Sequence, residues 1–405
     1  MAVVVSAGVA VGAMLLAGCE SAAPRSASLT SASAAVPSST AALASAPSSS
    51  AAPSSSAAAP PSSVSPAATA VTQQPTTQAP TTAAPAATSA TAKPVTKPTP
   101  PAPAPPQPAL PATAYVDVAV ATLWHSPSSP RAVDAAALKK PAGVRAWLGA
   151  MTLSQRRDLN GRVDSQLILG ERVIVDRLQG SWAHVVTPDQ PTPLDARGYP
   201  GWIPLAQLTF RARAGTAQDA VVTKPTAWLY VGGARSVEVS MATRLPALSV
   251  SAGWVHTETP DGTAVLVSTA DVALVGRGGA PFAATGADVV RTGHLFDGLP
   301  YLWGGTTGFG FDCSGFTHLV YAMRGVTIPR DADAQARAGT PVARADLQPG
   351  DLVFFASSGF VHHVGIYVGN NTMLDSPQTG TVVRLDSLSA QPFASEYAGA
   401  RRYLP

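Results

Sequence analysis

The chain has 405 residues, and its 27 Lys and Arg nearly balance its 24 Asp and Glu, for a formal charge of +3. Both signs are mixed along it. It has no basic run, no zinc-type Cys/His spacing and no G-x-G-x-x-G or P-loop fingerprint, which points away from nucleic acid, bound metal and nucleotide chemistry. Only Cys19 and Cys313 occur as cysteines. Each has its own local explanation, so no disulfide is expected and packing alone must hold the core.

Ala2 to Gly18 is apolar and rich in small residues, and it ends Leu16-Ala17-Gly18-Cys19. An apolar segment of this length followed by small residues reads as an export signal, and it is short for a membrane-spanning helix. Leu-Ala-Gly-Cys resembles the bacterial lipobox. That resemblance implies lipid attachment at Cys19, which would then begin the mature chain, and an envelope location on a membrane anchor. No Lys or Arg precedes the apolar run, which departs from the usual signal pattern.

Residues 20–112 are almost entirely Ala, Ser, Pro and Thr. Such a stretch has too few large apolar side chains to offset the entropy of ordering, so it reads as a disordered linker. A flexible coil of that length spans roughly 50–60 Å, and local Pro-rich patches would lengthen it. The linker would let a lipid-anchored protein reach from the membrane into the wall.

From Thr113 the composition changes. Short β-forming runs appear between turn residues, including Tyr115 to Val120, Glu171 to Val175 and Trp182 to Val186. Pro188 to Gly201 reads as a loop and Gly201 to Pro204 as a further strand. Pro130 to Asn160 reads as an insertion with one helix around Leu153 to Leu159. Strands at this spacing suggest small all-β barrels. The order Leu169-Gly170-Glu171, Gly180-Ser181-Trp182 and Gly201-Trp202-Ile203-Pro204 resembles bacterial SH3-type domains, with a weaker second copy around Trp228 and Trp254. The expected boundaries are 113–212 and 213–279. Trp124, Trp182, Tyr199 and Trp202 are candidate stacking surfaces. Trp182 is expected in the core, Tyr199 exposed in its loop, and Glu171 solvated in a turn.

The chemistry concentrates in residues 280–405. Ala283 to Phe296 carries apolar residues at helical spacing. A Gly-rich turn then delivers Cys313 to the start of an apolar helix-like run. The first turn of a helix presents unpaired N–H groups and partial positive charge, which stabilise a thiolate and can hold an oxyanion. A thiolate needs a base. Val361 to Gly369 reads as a strand that places His362 and His363 on opposite faces. The next strand, Thr372 to Ser376, follows an Asn370-Asn371 turn and could bring Asp375 to His363, as in a catalytic triad.

The combined pattern is Pro300-Tyr301-Leu302-Trp303-Gly304-Gly305, Asp312-Cys313-Ser314-Gly315-Phe316, Pro329-Arg330-Asp331, Gln348 to Phe355 and His362 to Gly369. It resembles the NlpC-type cell-wall cysteine peptidases. The resemblance implies an α+β chain, with a papain-like C-terminal domain of helices on an antiparallel sheet behind SH3-like barrels and the linker. It implies cleavage of wall stem peptides at the γ-D-glutamyl-diamino acid bond, by Cys313 as nucleophile and His363 as base, with no cofactor. The family's third position is often His; here it is Asp375, a competent orienter. The resemblance also implies substrate contacts by Tyr301, Trp303, Asp312, Ser314 and His362, with Asp312 and Ser314 holding a free N-terminal amine of the stem peptide. His318 reads as structural, and Arg330 with Asp331 as a loop ion pair or cap. The expected partners are wall peptides and a membrane, without nucleic acid, and the chain is expected to be a monomer. Two other readings stay open: an inactive wall-binding protein, and an amidase or acyltransferase on the same fold.

Overall fold

The computed structural model describes residues 108–405. The Leu16–Cys19 motif and nearly all of the expected linker lie outside the described residues. Among the described residues, no helix is long and apolar enough to cross a membrane.

Seven strands in residues 112–209 form one antiparallel sheet. Its spatial order is Val163–Ile168, Val120–Trp124, Tyr199–Pro204, Trp182–Thr187, Arg172–Gln179, Ala112–Val116, Leu208–Thr209. Period-two burial explains why these segments are strands. In Arg172–Gln179, Val173 and Val175 face a core that includes Leu123, Leu167, Val185 and Ile203, while Arg172 and Arg177 face out. Gly180, at φ 58°, supplies the left-handed residue of the turn that pairs this strand with Trp182–Thr187.

Three corrections to the sequence reading arise here. Tyr199 is not exposed in a loop: it opposes Thr187 as the first residue of a strand and is buried. Pro200 hid that strand, because proline cannot donate to a ladder and reads as a break. Glu171 is not a freely solvated turn residue but a half-buried one. Its carboxylate accepts from Ile168 N–H at 3.0 Å and from the Thr187 hydroxyl at 3.0 Å, and burial pushes it up to about 7. The insertion also holds a helix, Val144–Ala150, in addition to Leu153–Arg157. Seven residues containing Gly149 carry little helical propensity, so tertiary packing holds them. Trp147 packs on Trp124 with ring centroids 6.2 Å apart and donates its indole N–H to Asp134 at 2.8 Å.

Residues 218–276 form a five-stranded and a three-stranded antiparallel sheet around one core, which includes Leu229, Val239, Leu245 and Val255. The C-terminal region is built on a six-stranded antiparallel sheet. Its order is Thr340–Val342, Tyr397–Arg402, Leu352–Ser357, Phe360–Gly369, Thr372–Asp375, Arg384–Ser387. The helices Gly286–Gly293, Cys313–Ala322 and Ala332–Arg337 pack with this sheet. Cys313 to Tyr321 is buried at every position, so the helix is a core element with no solvent stripe. Phe296, Phe311 and Phe316 meet edge to face beneath it, with centroids 4.8–6.4 Å apart. Each such ring contributes roughly 1.5–3 kcal/mol by burial.

Candidate active site

Asp312 is the N-cap of the helix Cys313–Ala322. Its backbone is extended, and its carboxylate accepts from Gly315 N–H at 2.7 Å. Cys313 is therefore the first helical residue, only 8% exposed and unpaired by any disulfide. Gly315 allows the helix to seat on the preceding loop: a Cβ there would stand 2.0 Å from the Gly305 carbonyl oxygen.

His363 sits on the strand Phe360–Gly369, buried, beside Asp375 on the next strand. Asn370 and Asn371 both take positive φ, 50° and 57°, the conformation a tight two-residue hairpin requires. His363 Nε2 lies 2.7 Å from Asp375 Oδ2. Gly365 makes room for that approach, since a Cβ there would meet Met373 Sδ at 2.6 Å and Asp375 Cβ at 3.2 Å. Cys313 is near enough to His363 to raise the pKa of its imidazole. With Nε2 taken by the carboxylate, Nδ1 is the nitrogen left for the sulfur. Burial alone would lower the imidazole's pKa, but the bond to Asp375 and the proximity of Cys313 outweigh it and raise it to about 10. Phe393 stacks on the imidazole at 5.6 Å, and Phe355 lies 5.7 Å away on a tilted plane.

The remaining candidates fall into four settings. Tyr301 is buried close enough to Cys313 and Asp312 that burial and their negative charge hold its hydroxyl well above the ordinary tyrosine range, as an intact O–H donor. Ser314 and Asp312 meet Arg330, whose side chain is 1% exposed. Arg330 donates to Asp312 at 2.6 and 3.1 Å, to the Ser314 hydroxyl at 3.0 Å and to the Ser165 hydroxyl of the first β-rich region at 2.8 Å. Trp303 donates its indole N–H to the Val163 carbonyl of that region at 2.9 Å. His362 points elsewhere: it is exposed, its Nε2 stands 3.3 Å from Glu396, and no contact with Asp312, Ser314 or Cys313 is among its described interactions.

Asp331 stands at the N-cap position of the helix Ala332–Arg337, although its side chain makes no capping bond, and Arg330 and Asp331 form no local pair. Arg330 spans to Asp312, while Asp331 accepts from the Tyr199 hydroxyl at 3.4 Å. An arginine set in the apolar run Val326-Thr327-Ile328-Pro329 was the signal for burial, because a guanidinium is rarely enclosed without a designated acceptor. His318 donates Nδ1–H to the Ile328 carbonyl at 2.8 Å, and burial, assisted by Arg330, pushes it down to about 4, so it is neutral. The strand Val163–Ile168 borders the site throughout. Gln166 alone accepts from the Thr306 amide, the Thr306 hydroxyl and the Thr307 hydroxyl, at 3.4, 3.0 and 3.3 Å.

The chain is 40% identical over 303 residues to a γ-D-glutamyl-L-lysine dipeptidyl-peptidase of Bacillus cereus, covering 72% of this chain and 91% of that protein. Residues 298–402 match the NlpC/P60 family. The chain belongs to the NlpC/P60 family. Like other members it is a cysteine peptidase with an envelope role. Residues 222–274 match the YKFC SH3b2 domain, so the NlpC/P60 region is preceded by an SH3b-type all-β region. A second relative, the enzyme of the same name from Bacillus subtilis, is 39% identical over 290 residues, 70% of this chain and 96% of that protein. The crystal structure of an NlpC/P60 protein from Bacillus cereus matches with a TM-score of 0.70 at 40% identity, across 73% of this chain and all of that one.

Proposed function

We propose that this protein hydrolyses the bond between γ-D-glutamate and the following diamino acid in wall peptides. In this reading Cys313 is the nucleophile, His363 the base and then the acid, and Asp375 the residue that orients the imidazole. The observation that carries the reading is the buried His363–Asp375 hydrogen bond at 2.7 Å, set beside a cysteine at the head of a helix. It occurs in a protein about 40% identical to two γ-D-glutamyl-L-lysine dipeptidyl-peptidases over nearly their whole length.

The chemistry follows from the geometry. Cys313 and His363 exchange one proton, and Asp375 stabilises the imidazolium that results. The thiolate attacks the γ-carbonyl carbon. The developing oxyanion is taken by N–H groups at the start of the helix, with the Tyr301 hydroxyl as a further donor. His363 returns the proton to the departing amine, which leaves a γ-glutamyl thioester on Cys313. Water, deprotonated by His363, then releases the γ-glutamyl product and restores the thiol.

In this reading the enzyme also selects a peptide with a free N-terminal amine. Asp312, Asp331 and Asp164 lie near Arg330, at the border with the first β-rich region. An ammonium would be matched by this carboxylate-rich corner, whereas an amine acylated by muramic acid would bring neither charge nor room. The enzyme would then trim freed stem peptides rather than split intact wall. The Leu16–Cys19 motif supports a lipid anchor, with residues 20–112 as a tether and SH3-type domains at 113–212 and 213–279.

The test is hydrolysis by the full chain of free L-Ala-γ-D-Glu-diaminopimelate and of the same peptide capped by N-acetylmuramic acid. Cleavage of the free peptide alone is expected. Equal cleavage of both would remove amine selection and leave the peptidase reading intact.

A further inference from the structure

The C-terminal half of the nucleophile helix borders a cavity of about 500 Å³ where all three regions of the described chain meet. None of Cys313, His363, Asp375, Asp312 or Tyr301 lines it. Arg172 of the first β-rich region lines it, with Arg213, Arg244 and Arg277 of the second. Asp219 is shared, accepting from Arg213 at 2.8 Å and from Arg244 at 3.2 Å. Arg172 and Arg277 have no side-chain hydrogen bond or ion pair among the described residues, and both are exposed. The acids on the walls are Glu171 and Asp189. Glu171 is already engaged by Ile168 N–H, Thr187 and Gln190, and burial leaves it about half neutral near pH 7.

Guanidinium groups gathered around a wet cavity repel one another unless an anion joins them. Burial disfavours the charge on Arg213, Asp219 supports it, and Arg244 and Arg277 oppose it. Val221, Leu319 and Met323 give the same cavity an apolar wall. The volume suits a small molecule, and the guanidinium fork matches the planar, two-oxygen face of a carboxylate or phosphate.

We propose that this cavity is a second binding site, separate from the catalytic cleft, for a small polyanion whose carboxylate or phosphate groups are held by Arg172, Arg213 and Arg277. The proposal does not depend on which peptide bond the enzyme cuts. An occupant would rest against Leu319 and Met323, beside the helix that begins at Cys313.

The test is isothermal titration calorimetry of the full chain at low ionic strength, with citrate and with inorganic pyrophosphate as probes. The Cys313→Ala variant serves as a parallel host in which the nucleophile is absent. Saturable binding of at least one probe is expected, equal in both hosts and weaker as salt rises. The Arg172→Ala/Arg277→Ala double variant is expected to lose about tenfold or more in affinity. Both side chains are exposed, so this variant is expected to fold, which its unchanged melting temperature without ligand would verify. Tighter binding of citrate would point to a carboxylate ligand, and tighter binding of pyrophosphate to a phosphate. Failure of both probes to saturate the site, or undiminished binding by the double variant, would overturn the proposal.

Discussion

Arg330 closes a two-pronged pair on Asp312, at 2.6 and 3.1 Å, and so holds the residue directly before the nucleophile from a fully buried position. The same guanidinium reaches Ser165 of the first β-rich region at 2.8 Å. One side chain thus ties the start of the nucleophile helix to a neighbouring region. Removing it would leave the Asp312 carboxylate buried without its counter-charge. Arg330→Met is expected to destabilise the chain by about 3–5 kcal/mol, read from urea unfolding. Arg330→Lys keeps the charge but not the fork. It is expected to lose less stability than Arg330→Met and still to lower kcat/KM, because Asp312 and Ser314 would be less firmly placed.

The pH dependence of activity should carry the mark of Asp375. The imidazole of His363 is raised to about 10, so its protonated form persists below that value and is lost as pH rises through it. The alkaline limb of kcat/KM is therefore expected near pH 10. Asp375→Asn removes the carboxylate that supports the imidazolium, and its alkaline limb should move down toward the ordinary imidazole range near about 6.5. The rate at neutral pH should fall on the order of 10²–10⁴-fold. An alkaline limb that does not move would show that Asp375 has no part in setting the state of His363.

Phe393 lies outside every motif that identifies the site, yet it stacks on His363 with planes 28° apart. Such a contact is worth about 0.5–1.5 kcal/mol beyond its buried area. Phe393→Ala is expected to lower kcat roughly three- to tenfold through a less ordered imidazole, with KM nearly unchanged. Phe393→Tyr, which keeps the ring, should restore most of the rate.

Much of this site was legible before the fold was known, and the reasons are local. Cys313 follows a Gly-rich turn at the head of an apolar run, and the Asn370-Asn371 pair marks a hairpin whose second strand carries Asp375 next to His363. Those relationships span few residues and follow from helix and hairpin geometry. The contacts that escaped are long-range ones. Arg330 meets Ser165 across 165 positions, and Gln166 meets Thr306 across 140. The Val144–Ala150 helix has too little intrinsic propensity to announce itself and exists because Trp147 has a buried place to go. His362 alternates away from His363 as a strand requires, and that alternation carries it to Glu396.

Stability should respond to Glu171. Its carboxyl is raised from 4.5 to about 7 by burial, so the folded chain holds that proton more tightly than the unfolded chain does. The resulting stabilisation is complete below the unfolded value and is lost as pH rises through about 7. Its upper bound is about 3 kcal/mol. Glu171→Gln is expected to be close to neutral at pH 5 and stabilising at pH 8, as seen in melting temperatures across that range. A Gln variant equally or more destabilised at pH 8 would mean that the carboxylate is ionised in the fold and wanted there.

The most direct measurement of the central claim is product analysis by mass spectrometry after the full chain is incubated with L-Ala-γ-D-Glu-L-Lys, beside the Cys313→Ala variant. The expected result is release of free L-Lys and L-Ala-D-Glu by the native chain, with the variant slower on the order of 10³-fold or more. Cleavage between L-Ala and D-Glu, or a Cys313→Ala variant that works as well as the native chain, would contradict it.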